Sequence, residues 1–375
     1  MTYTLPEDVD RRRFLAATGA LGTVGLAGCT GGDETDDGGD GTDSIGQIGS
    51  GREGRGLPGG TPIAEMPDLE GELTVYSGRG EFLVGDLVEY IDEQYDDFDL
   101  TVRYAGSTDH VNAIVSEGEG SPADVFYSVN AGALGALASE ERTRSLPSEI
   151  TDLVRSEFRT DQWVGTSGRA RSIPYDGDEY DASEIPTDIM AFPEEFDGDL
   201  GWAPSYGSCQ AFVTAMRLIE GEEATREWLE AVVESGISSY GDELRVCQEI
   251  ADGNIDAAFT NHYYIQRVLD GNPEATIETA FTEGDAGAVF NVAGAAVVDT
   301  ASDPTLAENF VRHLLSAEAQ DYFARTTFEY PLIPDVEPIG DLPTIDELDV
   351  PDIDLTKLSD LETTIDLMRD AGVEV

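Results

Sequence analysis

From residue 71 onward, short apolar segments alternate with amphipathic segments of helical period. Strand patterns occur at residues 72–76, 100–104 and 123–127, and helical patterns lie between them at 85–95 and 108–117. A βαβαβ series of this kind places its strands side by side with helices as crossovers. The pattern therefore predicts an α/β fold with a mostly parallel sheet that is covered on both faces.

The later part of the chain continues the mixture of helices and strands. Roughly 300 residues exceed what a single core usually supports, so we expect two α/β lobes. A buried strand or strand pair is predicted at 288–298, and helices are predicted at 210–218, 222–233, 244–251, 305–324 and 358–369.

The charge balance changes the picture of the surface. The chain has 77 acidic and 21 basic residues, a formal net charge of −56, and a single lysine, Lys357. With 40% hydrophobic residues it still has ample material for a core, so disorder is not expected. Such a surface suits concentrated salt, where the Debye length falls to roughly 3 Å at 1 M. The composition predicts a halophilic protein for which cations, rather than nucleic acid or acidic membrane surfaces, are natural partners.

The first 28 residues have the pattern of an export signal. Arg11, Arg12 and Arg13 precede an apolar, small-residue stretch that ends at Cys29. The arginine run followed by Phe-Leu resembles a twin-arginine signal, and Leu-Ala-Gly-Cys resembles a lipobox. These features predict a haloarchaeal lipoprotein on the extracellular face of the cell membrane, held there only by a lipid on Cys29. Residues 29–68 are predicted to be an acidic flexible tether.

Two cysteines, Cys209 and Cys247, remain after the lipid cysteine. An oxidising compartment permits a disulfide between them. Both lie where helices are predicted to start, and we favour two separate buried thiols.

The candidate chemistry centres on a tyrosine pair, Tyr263 and Tyr264, which follows the apolar run 255–259. A strand that ends there presents two phenols at the carboxyl edge of a sheet, where α/β proteins bind ligands and where two phenol oxygens can chelate a hard cation. Alternatively, one tyrosine packs in the core and the other lies on a loop. The pair alone leaves both interpretations open.

Several separated motifs occur in the order in which they are found in one family. Together they resemble the ferric-ion-binding proteins of ABC importers between residues 72 and 336. The resemblance implies a two-lobed periplasmic-binding-protein fold of type II, with a hinge and a ligand cleft. The motifs are Tyr76-Ser-Gly-Arg79, Ala123-Asp-Val-Phe-Tyr-Ser128, Gly168-Arg-Ala-Arg171, Gly201-Trp-Ala-Pro204, Asn261-His-Tyr-Tyr264 and Glu329-Tyr-Pro-Leu332.

We expect lobe 1 to span residues 69–170, with about 290–335 returning to it. Lobe 2 is expected to span 171–289, with about 336–375 packing on it.

The resemblance also implies roles for individual residues. It makes Tyr263 and Tyr264 ligands of Fe(III), a hard ion that prefers anionic oxygen. A carbonate or phosphate co-anion is implied beside the iron, and a helix N-terminus at Gly207 and Ser208 suits it. The implied anion-binding positions are Asn130, Gly207, Ser208 and Asn261, with Arg79 and Arg169 as cationic candidates. Arg171 is a further cation near the crossing between lobes, and a structural ion pair is the open alternative for it and for Arg169.

The sequence departs from the family at two positions. One branch supplies a histidine where this chain has Gly80, and a glutamate where it has Val129. Neither residue binds iron, so other ligands are needed. Tyr175 and Glu81 are the leading candidates, ahead of Tyr206 and Glu243.

The resemblance implies extracellular capture of ferric iron and its delivery, by a monomeric receptor, to an ABC permease with a separate ATPase. The alternative is a receptor of the same fold for a polyamine, thiamine, a phosphonate or a sugar, since paired aromatic rings also bind organic cations and rings. The sequence shows neither a P-loop nor a nucleophile–base pattern, so catalysis is not expected.

Overall fold

The computed structural model describes residue 48 and residues 59–375. The predicted export signal, Cys29 and most of the predicted tether lie outside the described residues. Ile63 and Met66, which fall inside the predicted tether, are buried on the folded body. The backbone N–H of Ile63 donates to the Glu318 carboxylate at 2.9 Å. No helix in the described part of the chain has the length and apolarity needed to cross a membrane.

The strands form one mixed sheet in the order β2-β1-β3-β10-β4-β7-β5-β6, with β8, β9 and β11 also pairing with β4. The strand patterns predicted near the N-terminus of the body are confirmed. The strands are β1 (Gly71–Ser77), β2 (Phe98–Tyr104), β3 (Val125–Ser128), β4 (Val164–Asp176), β5 (Leu200–Trp202), β6 (Ser238–Ser239), β7 (Ala257–Ala258), β8 (Thr260–Asn261), β9 (Ile277–Ala280), β10 (Phe290–Val297) and β11 (Tyr330–Pro331).

The helices connect these strands and cover the sheet. Those predicted from the 3.6-residue period are present, with bounds that differ by a few residues. The helices are α1 (Glu81–Glu93), α2 (Ser107–Glu117), α3 (Ala131–Ser139), α4 (Ser148–Thr151), α5 (Phe192–Glu195), α6 (Gly207–Glu220), α7 (Glu222–Glu234), α8 (Glu243–Ala251), α9 (His262–Gly271), α10 (Pro304–His313), α11 (Ala317–Tyr322) and α12 (Leu361–Asp370).

The sheet is less parallel than the βαβαβ pattern predicts. β1 pairs in parallel with β2 and β3, and β5 pairs in parallel with β6 and β7. β10 is antiparallel to both of its neighbours, β3 and β4. β4 is also antiparallel to β7, β8, β9 and β11. β4 therefore links a half built on β1–β3 and β10 to a half built on β5–β7.

The helix predicted at 305–324 is interrupted. α10 ends at His313, and the side chain of Ser316 then accepts from the backbone N–H of Ala319 to cap α11. α11 runs on into a π-helical turn, Phe323–Thr327, which ends at Phe328 with a left-handed φ of 61°. A serine cap inside an apolar-periodic segment is a local start signal that the helical period alone does not reveal.

The C-terminal segment packs on helices α3, α6 and α7. α12 packs on α6 and α7, and the 3-10 turn Leu355–Ser359 packs on both α3 and α6. The hydroxyl groups of Thr214 on α6 and Thr364 on α12 lie 2.8 Å apart. This segment therefore fills the space between α3 and α6.

The two described cysteines are free and buried, Cys209 in α6 and Cys247 in α8. The prediction of two separate thiols is confirmed. Burial raises the pKa of each thiol to about 12.

Candidate metal centre

Three helices begin at one cavity of about 590 Å³, which we call the main cavity. The residue at each start, Asn130 before α3, Tyr206 before α6 and Asn261 before α9, lines this cavity. Because the first turn of a helix has backbone N–H groups without intrahelical partners, the wall carries partial positive charge. The main cavity therefore suits an anionic or anion-coordinated ligand.

Three phenols share one wall of the main cavity. Tyr263 and Tyr264 occupy the first turn of α9, and their ring centroids are 4.2 Å apart. The hydroxyl oxygens of Tyr206 and Tyr264 lie 2.9 Å apart. The sequence predicted that a strand would end at this pair. The structure differs, because β7 and β8 have only two residues each before α9 begins. The turn into α9 nevertheless places both rings against the cavity.

Burial controls the protonation of Tyr263 and Tyr264. It raises the pKa of Tyr263, and the nearby Arg169 guanidinium opposes that rise. Burial is also the main reason that the pKa of Tyr264 is strongly raised, and Tyr263 and Glu243 add to the effect. Both tyrosines are therefore neutral at physiological pH in the free protein, and any cation that binds as a phenolate complex must displace their protons.

Arg267 supplies a cation directly over this pair. Its guanidinium carbon is 5.0 Å from the ring centroid of Tyr263 and 5.5 Å from that of Tyr264, and it lines the main cavity. This contact is a cation–π arrangement. The sequence analysis missed Arg267, although its spacing of three and four residues from the tyrosines places all three on one face of a helix.

A buried ion pair supports the start of α9. Arg171 donates to the Glu243 carboxylate at 2.5 Å, and the second oxygen of Glu243 accepts from the backbone N–H of Asn261 at 3.1 Å. Arg171 also donates to the carbonyl of Phe259. Glu243 is fully buried and does not line the main cavity. Its carboxylate therefore stabilises the backbone that carries the tyrosines.

A second buried ion pair lies beside the cavity. Arg79 is fully buried and donates to Glu329 at 2.7 Å and to Ser167 at 2.7 Å. Burial alone would raise the pKa of Glu329, but the guanidinium groups of Arg79 and Arg169 hold it below its usual value. Glu329 lines the cavity as a carboxylate, but the neighbouring guanidinium groups already neutralise its charge.

The described residues contain no group of three or more His, Cys, Asp or Glu side chains arranged to hold a metal ion. His262 illustrates why, since it is fully buried. Its Nε2 lies 2.9 Å from the carbonyl of Phe328, and its Nδ1 lies 3.2 Å from the backbone N–H of Ala170. Burial lowers the pKa of His262 to about 4, so the ring is neutral and its nitrogens are occupied. The phenols are left as the candidate donors of the main cavity.

The sequence and the fold match known proteins. A model of the bacterial extracellular solute-binding protein family matches residues 86–347. The chain belongs to this family. Solute-binding proteins of this kind are transport receptors rather than enzymes.

Relatives of this solute-binding protein include the major ferric iron-binding protein of Neisseria meningitidis, 29% identical over 269 residues, covering 70% of this chain and 81% of the relative. Iron uptake protein A2 of Synechocystis is 30% identical over 262 residues, covering 65% and 75%. The structure of iron-bound HitA from Pseudomonas aeruginosa aligns with a TM-score of 0.70 and 26% identity, covering 80% of this chain and 99% of that one. The expected two-lobed α/β fold is confirmed, and the lobe boundaries stay a prediction.

Most of the positions predicted to bind the co-anion line the main cavity of this solute-binding protein. They are Asn130, Arg169, Gly207, Ser208 and Asn261. The Asn130 side chain also caps α3 by accepting from the backbone N–H of Ala133 at 2.9 Å. The Ser208 hydroxyl has no hydrogen-bond partner among the described residues. Arg79 is the exception, because its guanidinium is used in the ion pair with Glu329 and does not line the cavity.

The two leading candidates for additional ligands are not brought to the cavity. Tyr175 lies four residues beyond Arg171 on β4, about 13 Å further along the strand. Its hydroxyl donates to Glu278 at 2.5 Å. Glu81 is an exposed residue in the first turn of α1, and the next two residues, Phe82 and Leu83, line the cavity instead. Tyr206, ranked lower from the sequence, is the phenol that the structure places beside the pair.

Proposed function

We propose that this solute-binding protein captures ferric iron for import, with Tyr206, Tyr263 and Tyr264 as its iron donors. The observation that carries the proposal is the convergence of three phenols on one wall of the main cavity. Ferric iron is hard and trivalent and favours anionic oxygen over sulfur or neutral nitrogen. Two of the relatives are named for ferric iron binding or iron uptake, which supports the choice of this ion.

The charges of the site suit this cargo. Three phenolates balance the charge of one ferric ion, and the ion itself provides the field that removes their protons. Arg171 and Arg79 are each paired with a buried carboxylate. Arg267 and the exposed part of Arg169 then add positive charge at the cavity, which favours an anion beside the iron. A carbonate or phosphate co-anion near Ser208 and Asn130 is therefore part of the proposal.

The cellular setting is also part of the proposal. The N-terminal pattern supports twin-arginine export and a lipid on Cys29, and the acidic, lysine-poor composition supports a haloarchaeal origin. Closure of the two lobes over the iron, a hinge motion typical of such receptors, would precede docking to an ABC permease.

The test is a titration of the purified protein with ferric nitrilotriacetate in high salt, followed by visible absorbance. Phenolate coordination produces a charge-transfer band, which should be lost when Tyr206→Phe, Tyr263→Phe and Tyr264→Phe are combined. Tyr175→Phe is the matched control, because Tyr175 is a buried phenol outside the cavity lining, and it should leave the band intact. Absence of the band from the parent protein, or its survival in the triple variant, would contradict the proposal.

A further inference from the structure

The walls of the main cavity differ in chemistry. All three phenols come from the starts of α6 and α9. The lining that comes from α1, α2, the residue before Asn130 and the C-terminal segment is largely apolar and offers no anionic oxygen. Its large apolar members are Phe82, Leu83, Val111, Val129, Leu358 and Leu361. An ion held by the phenols therefore faces hydrocarbon on these walls, and the carboxylate of Glu329, which lines the cavity elsewhere, is already paired with Arg79.

Phe82 is the most unusual residue of this lining. Its exposed fraction is 85%, the largest among the exposed large hydrophobic residues in the described part of the chain. Leu83, Val111, Val129 and Leu361 are also partly exposed. Single exposed apolar side chains are ordinary, but a set that lines one cavity is typical of a surface that receives an apolar group.

The size of the main cavity agrees with a ligand larger than an ion. Its volume of about 590 Å³ lies within the range of roughly 300–1,000 Å³ that is typical of pockets for organic molecules. Three phenolates also leave coordination positions open on an octahedral ferric centre. Both the empty space and the open positions need an occupant other than the protein.

Resting on the proposed function, we propose that the transported species is a ferric complex of an organic chelator that has an apolar portion. The phenols bind the iron at the coordination positions that the chelator leaves open. Each phenol releases its proton to solvent and displaces a water or a chelator oxygen from the iron. The iron stays in the ferric state. The apolar portion of the chelator packs on Phe82, Val129 and Leu361. Arg169 and Arg267 lie beside its anionic oxygens.

The experiment compares two chelators with the same donor atoms, acetohydroxamate and benzohydroxamate, each supplied as its one-to-one ferric complex to the full-length protein. Equilibrium dialysis with separate assays of iron and chelator measures both affinity and retention. We expect the chelator to stay with the iron in equal amounts. We also expect the phenyl-bearing complex to bind roughly tenfold more tightly, since burying an aromatic ring is worth at least that factor.

Variants test whether the apolar lining causes the preference for the phenyl-bearing complex. Phe82→Ser combined with Leu361→Ser should abolish the preference for benzohydroxamate, because it should weaken binding of that complex much more than binding of the acetohydroxamate complex. Leu218→Ser is the matched control, because Leu218 is also an exposed large apolar residue, 39% exposed, but lies outside the cavity lining. It should leave the preference intact.

Three results would overturn the inference: iron bound without chelator, equal affinity for the two complexes, or an equal loss for both complexes in the double variant. The last would mean that Phe82 and Leu361 act in lobe closure instead. In each case a phenolate charge-transfer band formed with ferric nitrilotriacetate would leave ferric binding itself standing. Loss of that band in the parent protein with every ferric source would instead remove the proposed function.

Discussion

Glu243→Gln is expected to destabilise the protein strongly, although Glu243 does not line the main cavity. The wild-type carboxylate accepts from Arg171 with one oxygen and from the backbone N–H of Asn261 with the other. Glutamine has a single acceptor oxygen, so one of these donors would face an amide NH₂ group. Arg171 would also lose its ion-pair partner, and no other carboxylate among the described residues pairs with it, while its side chain is only 3% exposed.

The magnitude follows from the burial of both partners. Removing one member of a buried ion pair typically costs about 3–5 kcal/mol, because the other charge is left uncompensated. For a folded body of this length, the usual entropy of unfolding per residue converts that loss into a fall in Tm of about 5–8 °C. Since Asn261 starts α9, ferric binding should weaken as well.

Thermal unfolding in high salt, followed by circular dichroism, measures the change. High salt is suitable because a buried pair is screened far less than exposed charges. Asp366→Asn is the matched control, since its ion pair with Arg369 is 58–71% exposed and should contribute less than about 1 kcal/mol. If Glu243→Gln lowers Tm no more than Asp366→Asn does, the reasoning about this pair is wrong.

Four further outcomes are expected. Tyr206→Phe should shift the charge-transfer band and weaken ferric binding by roughly ten- to hundredfold, as expected for one lost charge-assisted contact; an unchanged titration would exclude Tyr206 as a donor. Because burial raises the pKa values of Tyr263 and Tyr264, iron binding should release their protons. The affinity for iron should then rise with pH by up to about tenfold per pH unit for each proton released. Calorimetry in buffers of different ionisation enthalpy counts the released protons, and a count of zero would refute this prediction. Tm should rise with salt concentration, given the net charge of −56, and a flat salt dependence would contradict this electrostatic argument. With pKa values of about 12, Cys209 and Cys247 should react with a thiol reagent only after unfolding, and rapid labelling of the native protein would show that they are accessible.

Local pattern was enough to predict much of the fold. The strand segments 72–76, 100–104 and 123–127 correspond to β1, β2 and β3, and the helical period located α2, α7 and α8 to within a residue or two. Hydrophobic period reports which residues are buried, and these elements are buried on the expected faces. The antiparallel placement of β10 was not predictable in the same way, because strand direction depends on pairing between segments that lie far apart in the chain.

The residues of the site likewise divide into those that the sequence reveals and those that only the folded structure brings together. The tyrosine pair is adjacent in sequence, so its importance was visible there. Tyr206 is 58 residues from Tyr264, and only the folded chain brings their hydroxyl groups to 2.9 Å. Tyr175 had the right residue type, but the register of β4 with β9 places it opposite Glu278 and directs its hydroxyl there. Residue type and order along the chain do not determine which side chains meet.

The position of β10 has a consequence for how the chain is made. β10 lies between β3 and β4, so both of these strands have an unpaired edge until residues 290–297 have been synthesised. Unpaired edges of buried strands invite association with other chains. A nascent chain that stops before β10 is therefore expected to aggregate or to occupy chaperones, and the first half of the sheet cannot mature ahead of the second. Ribosome-bound fragments of increasing length should become protease-resistant only after this strand has emerged.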